Sequence, residues 1–348
     1  MRWTQWIGLA CLISFAPALS VAAKSVQPEA APDPPPLRVS GPYTHANLSV
    51  FLLHGDDAVD TEFITLEEGL RDGTVTVKEQ EVAQVGQLII ENRSQRTLFL
   101  QEGDRLQGGK QDRTIRNTLA IRPKSGPTPL PSFCIEQSRW SQGASGDLFS
   151  ATPVEAIAPK SVRLAAKAER DQGRVWDEVA QLKVRAVDAR VAESQTSSLN
   201  EAMDSEALDA ETRPYEAALA GTVAQQPDAV GVVFAVNGRI EEANVYPNRS
   251  LLGKVYPKLI KSYAVHAALH PPDGDATDAP SVTVSDVEAY MAEPYQTHVR
   301  TDEVDEFNRT LQRSREDSLY FESSLDGQVI HRQMMRVESP DAAPDRED

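Results

Sequence analysis

Hydrophobic and polar positions divide the chain into a first part with the period of strands and a later part with the period of helices. NLSVFLL (47–53) is apolar on both faces, the pattern of a strand covered on two sides. TVTVKE (74–79) alternates with period two. QLIIE (87–91) and TLFLQ (97–101) flank the polar segment 92–96, which predicts a hairpin. TIRNTLAIR (114–122) and SFCIEQ (132–137) predict two further strands, joined by the loop PKSGPTPLP. Thr65 and Glu68 form a capping box for a short helix that Gly73 can stop.

Near Ala151 the pattern changes. Residues 161–205 are rich in Ala, Arg, Glu, Gln and Val, and Val175, Val179, Leu182 and Ala186 trace a helical stripe. A further helix is expected over 213–223, and VGVVFAVNGRIEEANVY (230–246) reads as a hairpin turning at Asn237-Gly238. SLLGKVYPKLIKSYAVHAALH (250–270) is a long amphipathic helix, with Leu251, Leu252, Val255, Tyr256, Leu259, Ile260 and Tyr263 on one face and Pro257 as a kink or a join. Ser285 and Glu288 suggest a capping box for another helix, and 320–337 a last hairpin around Asp326-Gly327. Strands and helices are segregated rather than alternating, so the fold class is α+β: a β-rich N-terminal half followed by helices, a β-hairpin and the long helix.

The ends differ from this body. Residues 1–23 have one Arg2, an apolar run and a small-residue Val21-Ala22-Ala23 site, the arrangement of a cleaved secretory signal peptide. Residues 24–43 are a proline-rich linker, and 338–348 an acidic disordered tail. Between them a single α+β domain is expected over 44–337, β-rich over 44–150 and helix-rich over 151–337. A periplasmic or secreted location follows, with no membrane association after cleavage. Net charge is −17 and moves to about −18 when Arg2 is lost, which argues against nucleic acid as a partner. Cys134 is then the lone cysteine, so the fold rests on its core rather than on a disulfide.

Chemistry-bearing residues concentrate in 102–140, between EGDRLQGGKQDR and CIEQSRW. Together with TLEEGLRDG, QGRVWDEV, VGVVFAVNGRI and YPKLIKSYAVHAAL, these motifs resemble the ARG and Rhodanese-Phosphatase-superfamily-associated protein domain over roughly residues 47–269. The resemblance implies no activity and brings no catalytic residues. The family name records genomic association with ADP-ribosylglycohydrolases and rhodanese-like phosphatases.

A phosphate loop is excluded in detail: Gly109 is inserted, Gln111 stands where Ser or Thr is needed, and a β pattern follows instead of a helix. The plain structural reading is a tight turn with positive φ at Gly108 or Gly109 and with Lys110, Asp112 and Arg113 as solvated charges. The functional reading brings Lys110, Asp112, Arg113, Arg139 and Trp140 together as a ligand-binding cleft, with Glu102, Glu136 and Cys134 as catalytic candidates. Strand alternation places Cys134 and Glu136 on one face. His266 and His270 have the i, i+4 spacing of metal ligands but lack a third ligand, and neither a metal nor a cofactor is expected. The favoured function is an exported protein that binds a small-molecule or peptide-like ligand in region 102–140. The alternative is a hydrolase or transferase using Glu102 or Glu136 with Lys110 and Arg113. A third reading is a scaffold whose helices over 161–205 dock a protein partner.

Overall fold

The computed structural model describes residues 37–80, 86–137, 146–152, 156–189, 198–272, 281–296 and 299–337. The signal stretch, the acidic tail, Arg139 and Trp140 lie outside the described residues. In chain order the first part carries β1 (Arg38–His45), β2 (Leu48–His54), β3 (Phe63–Thr65), α1 (Leu66–Arg71), β4 (Val75–Lys78), β5 (Gln87–Asn92) and β6 (Thr97–Leu100). It continues with β7 (Arg105–Gly108), β8 (Arg113–Ile115), β9 (Leu119–Ile121), β10 (Pro127–Cys134) and β11 (Leu148–Ala151). Helices α2 (Lys160–Leu164), α3 (Gln172–Asp188), α4 (Leu199–Met203) and α5 (Glu206–Leu219) follow, and a π-helical turn, Ala165–Glu169, extends α2. The remainder is β12 (Ala229–Val236), β13 (Arg239–Val245), α6 (Arg249–Leu269), α7 (Val284–Ala292), β14 (Arg300–Glu303), β15 (Asn308–Ser314), β16 (Ser318–Leu325) and β17 (Gln328–Arg336).

Three sheets form. The largest is antiparallel, in the order β1-β2-β12-β13-β17-β16-β15-β14, so the first hairpin joins, through β2 and β12, strands from the last third of the chain. Strands β10-β5-β4-β11-β7-β8 close into a barrel, and β3-β6-β9 make a small sheet. Burial explains the two-sided apolar pattern of β2. Leu48, Val50 and Leu52 pack with α6, while Phe51 and Leu53 join the cluster that α7 covers on the other face. The barrel interior holds Val75, Val77, Leu88, Ile90, Leu106, Ile115, Leu130 and Phe149. The stripe Val175, Val179, Leu182 and Ala186 is the buried face of α3. The fold is α+β with a β-rich first half, as the pattern implies.

Several local expectations are corrected. No hairpin forms across 92–96: β5 pairs in the barrel and β6 in the small sheet. The buried Asn92 side chain causes the divergence, bonding the carbonyls of Arg96, Ile121 and Arg122 and receiving the Ser94 N–H. TIRNTLAIR is two strands in different sheets, and β10 begins inside the expected loop. Its three prolines are tolerated because on the edge away from β5 no N–H is called for at these positions: Pro131 gives that edge only its carbonyl, which accepts from the Arg116 N–H, and β8 is met at Ser132. β1 takes up part of the expected linker as an edge strand. The helix expected over 213–223 starts earlier, as α5, and Thr283 with Asp286, not Ser285 with Glu288, caps α7.

Two expectations about the long helix and the turns gain detail. Helix α6 runs unbroken through Pro257 and is buried around most of its circumference, Lys258 and Lys261 included. Both hairpin turns have the positive φ values of primed turns, at Asn237-Gly238 and Asp326-Gly327.

Candidate functional site

The EGDRLQGGKQDR motif leaves β6, forms β7, turns and enters β8. Both Gly108 and Gly109 have positive φ, as a tight turn requires. The charges, however, are not solvated: Glu102, Asp104, Arg105, Asp112 and Arg113 are all buried, and Lys110 is half-buried. They divide into two groups, one around Glu102 and one at the end of the barrel, joined through Asn200, which bonds both Arg105 and Asp112.

The first group surrounds Glu102. One carboxylate oxygen accepts from Arg163 at 2.7 Å and from Gln333, and the other from Gln101 at 2.6 Å and Thr118 at 2.7 Å. Arg163 is shared with Glu242, which it grips through both terminal nitrogens, and Gln333 donates to Glu242 as well at 2.8 Å. Tyr263 donates its hydroxyl to Glu242, and Asn244 donates at 2.8 Å. The π-helical turn points Lys167 inward, where its ammonium donates to Gln333 at 2.8 Å and lies 3.8 Å from Glu102. Gly103, at φ +85°, is the position that admits Arg163, because a Cβ there would collide with the arginine stem.

Electrostatics follow from this crowding. Burial opposes the charged form of Glu102, but Lys167 and Arg163 outweigh it and hold the carboxyl well below the usual range. Glu242 is likewise held low, by Arg163 against burial. The Asn244 amide donates to Glu242, so its carbonyl oxygen accepts from Nε2–H of His331 at 3.0 Å. Burial pulls the His331 imidazole down to about 4, so the ring is neutral at neutral pH. Nearby, Asp104 pairs with Lys258, which also reaches Glu67 at 3.0 Å; burial pushes the Asp104 carboxyl up to about 7. Arg105 is held by the Ala156 carbonyl, Asn200 and Asp204. Glu102 thus sits in an ionic hub tying the start of β7 to α2, β13, α6 and β17, apart from the other catalytic candidates.

The second group lies at one end of the barrel, and here GGKQDR and CIEQ do meet. The Asp112 N–H donates to Glu136 at 3.2 Å, its carbonyl accepts from the Ile135 N–H at 3.0 Å, and Gln111 reaches the Gln137 carbonyl. The Asp112 carboxylate accepts from Gly108 N–H, Ser198 and Asn200. Arg113 and Cys134 face the barrel interior, in register with each other on β8 and β10. The guanidinium contacts the Cys134 sulfur and, at 3.3 Å, Glu79, whose carboxylate also receives the Lys110 backbone N–H at 3.2 Å. Lys110, Arg113 and Cys134 are therefore neighbours through Glu79, a residue the sequence analysis missed. Cys134 and Glu136 do not share a surface, because β10 ends at Cys134 and Glu136 turns outward to bridge Ser198. Burial pushes the Cys134 thiol up, the opposite of an activated nucleophile.

His266 and His270 stack face to face at 4.3 Å, and His270 Nδ1 bonds the His266 carbonyl. Among the described residues no group of three metal-ligating side chains occurs.

The hub supports two predictions. Arg163→Met leaves Glu102 and Glu242 buried without their shared cation and lowers unfolding free energy by about 3–5 kcal/mol, seen as a lower urea midpoint. Adding Glu242→Gln to that variant recovers part of the loss; no recovery shows that lost packing, not unpaired charge, is the cost. In the unfolded chain His331 takes up a proton near pH 6.5, while the folded chain does so only near 4. The stability contributed by this group is therefore lost as pH drops from about 6.5 to about 4, while the raised Asp104 carboxyl contributes in the opposite sense across much of that window. His266 is depressed in the same direction. Relative to wild type, His331→Gln should lose the His331 contribution, so that its urea midpoint falls less, or rises more, as pH drops across that window, and an unchanged slope refutes the assignment.

Neither a curated protein nor a solved structure matches the chain. A family model does, over residues 36–335, which takes in every described strand and helix from β1 to all but the last residue of β17. On that match, the chain belongs to the ARG and Rhodanese-Phosphatase-superfamily-associated Protein domain family.

Proposed function

We propose that the protein is exported and binds a small or peptide-like ligand bearing a carboxylate at the barrel end formed by Lys110, Gln111, Arg113 and Glu79. The observation that carries this reading is the state of Arg113. It is buried at the polar end of an otherwise apolar barrel, its one carboxylate contact is long, and its Nε has no hydrogen-bond partner among the described residues. Glu79 Oε2 and Gln111 Oε1 are in the same condition at the same end. Such groups are costly unless the site has use for them, and barrel mouths are a common location for ligands. Half-buried Lys110 stands at the rim, and beneath it the guanidinium supplies the planar fork that suits a carboxylate. Asp112 and Glu136, bonded to each other's segments, shape the rim. Trp140 and Arg139 extend the reading only by their place in the sequence.

Two measurements test it. N-terminal sequencing of protein recovered outside the cytoplasm should begin at about Lys24; a retained Met1 removes the export half of the proposal. A thermal-shift screen of small carboxylic acids and short peptides should find a ligand that stabilises wild type, by about 2.7 kcal/mol at a hundredfold excess over Kd, and stabilises Lys110→Ala less. Equal stabilisation of both proteins, or none of either, overturns the site.

A further inference from the structure

A second cleft lies away from the barrel, between the start of α2, the last turns of α3 and the end of α6. Its lining is Pro159, Lys160, Ser161, Leu182, Arg185, Val265, His266, Leu269 and His270. Among the described residues no carboxylate lines it, although the chain as a whole is strongly acidic. The space is about 30 Å³, enough for one water or the head of a small anion.

Hydrogen bonding fixes the charge on the histidines. Arg185 can only donate, so its 2.8 Å contact with His270 Nε2 makes that nitrogen an acceptor. The His270 proton is then on Nδ1, donated to the His266 carbonyl at 2.8 Å, and the ring is neutral. Arg185 is exposed and forms no ion pair among the described residues, so the cleft keeps its positive charge at the mouth. Lys160 is paired with Glu241 on β13, which leaves two ammonium hydrogens for another partner. Behind these donors Leu182, Val265 and Leu269 form a buried apolar wall.

We propose that this cleft binds a carboxylate whose first carbons are apolar, with Arg185 as its main ionic partner and Lys160 and Ser161 beside it. The walls select an alkyl neighbour over a bare inorganic ion, since filling them removes apolar surface from water. The free acid of a small metabolite and the C-terminal carboxylate of a peptide share this chemistry.

The surroundings disfavour a charge on His266. His266 faces His270 on its own helix, Lys160 and Arg163 from α2, and Arg185 from α3, with the Tyr263 ring 6.1 Å away and Glu241 reaching it only through Lys160. Burial first, then these positive neighbours, hold its imidazole well below the usual histidine value. The charge that a carboxylate meets in this cleft is therefore that of Arg185, with Lys160 beside it.

Isothermal titration of the full chain with butanoate, with acetyl-Ala-Leu and with the amide of each tests the proposal. In wild type the carboxylates should bind with a component that weakens about tenfold in Arg185→Met and that persists in Lys110→Ala once any barrel-end component is lost. The stronger of the two carboxylates identifies the source. Arg185 is exposed, so circular dichroism of Arg185→Met should match wild type. Equal binding of acid and amide overturns the proposal, as does unchanged affinity in Arg185→Met, or no binding of either acid. Failure at Lys110→Ala but not at Arg185→Met assigns the ligand to the barrel end instead.

Discussion

Arg163 lies between two carboxylates buried from solvent, and the architecture depends on that arrangement remaining complete. Taking such charges out of solvent costs several kcal/mol for each ion, and their attraction compensates only when every lone pair and proton finds a partner. Here the partners are present: Glu102 and Glu242 share Arg163 and Gln333, while Thr118, Gln101, Tyr263 and Asn244 take the remaining positions. A half-satisfied set would be worse than an apolar core, so the set specifies one mutual placement of barrel, helices and sheet. Hydrophobic burial supplies the drive to collapse, and the hub selects among collapsed arrangements.

Much of the architecture is legible in local patterns, because those patterns answer to local physics. The two-sided apolar run of β2, the stripe of α3 and the primed turns at Asn237-Gly238 and Asp326-Gly327 are of this kind. Strand pairing is not. Nothing in QLIIE and TLFLQ reveals that Asn92 bonds three carbonyls and sends its two flanking strands into different sheets. Nor does the loop-like spacing of Pro127, Pro129 and Pro131 reveal that β10 pairs with β5 on one edge there and needs no N–H on the other.

The candidate site shows the same division. The turn geometry at Gly108 and Gly109 follows from glycine itself, whereas the meeting of GGKQDR with CIEQ depends on the pairing of β8 with β10, which their local patterns do not reveal. Burial of the charges is hidden too, because it depends on residues such as Arg163, Glu242 and Gln333 that are distant in sequence. Some signal was present: Glu241-Glu242 interrupts an apolar return strand, and Lys258 and Lys261 occur within the long, mostly buried helix α6. A charge set among apolar neighbours is a reason to look for its counter-ion. Glu79 gave no such sign, since at the end of an alternating strand it looks like any surface residue.

The distance along the chain between Glu102 and Gln333 has a consequence for the order of assembly. They are 231 residues apart, and Gln333 belongs to β17, the last strand. At ribosomal rates of 5–20 residues per second, Glu102 is made roughly 10–50 s before its partner exists. During that interval desolvating the carboxylate has no full compensation, so it keeps its water and the start of β7 cannot close against α2 and β13. The first two strands wait as well, because β2 pairs with β12 and so needs residues from beyond position 228. The native arrangement is thus reached late and as a whole, and a nascent chain remains open until its final strand is available.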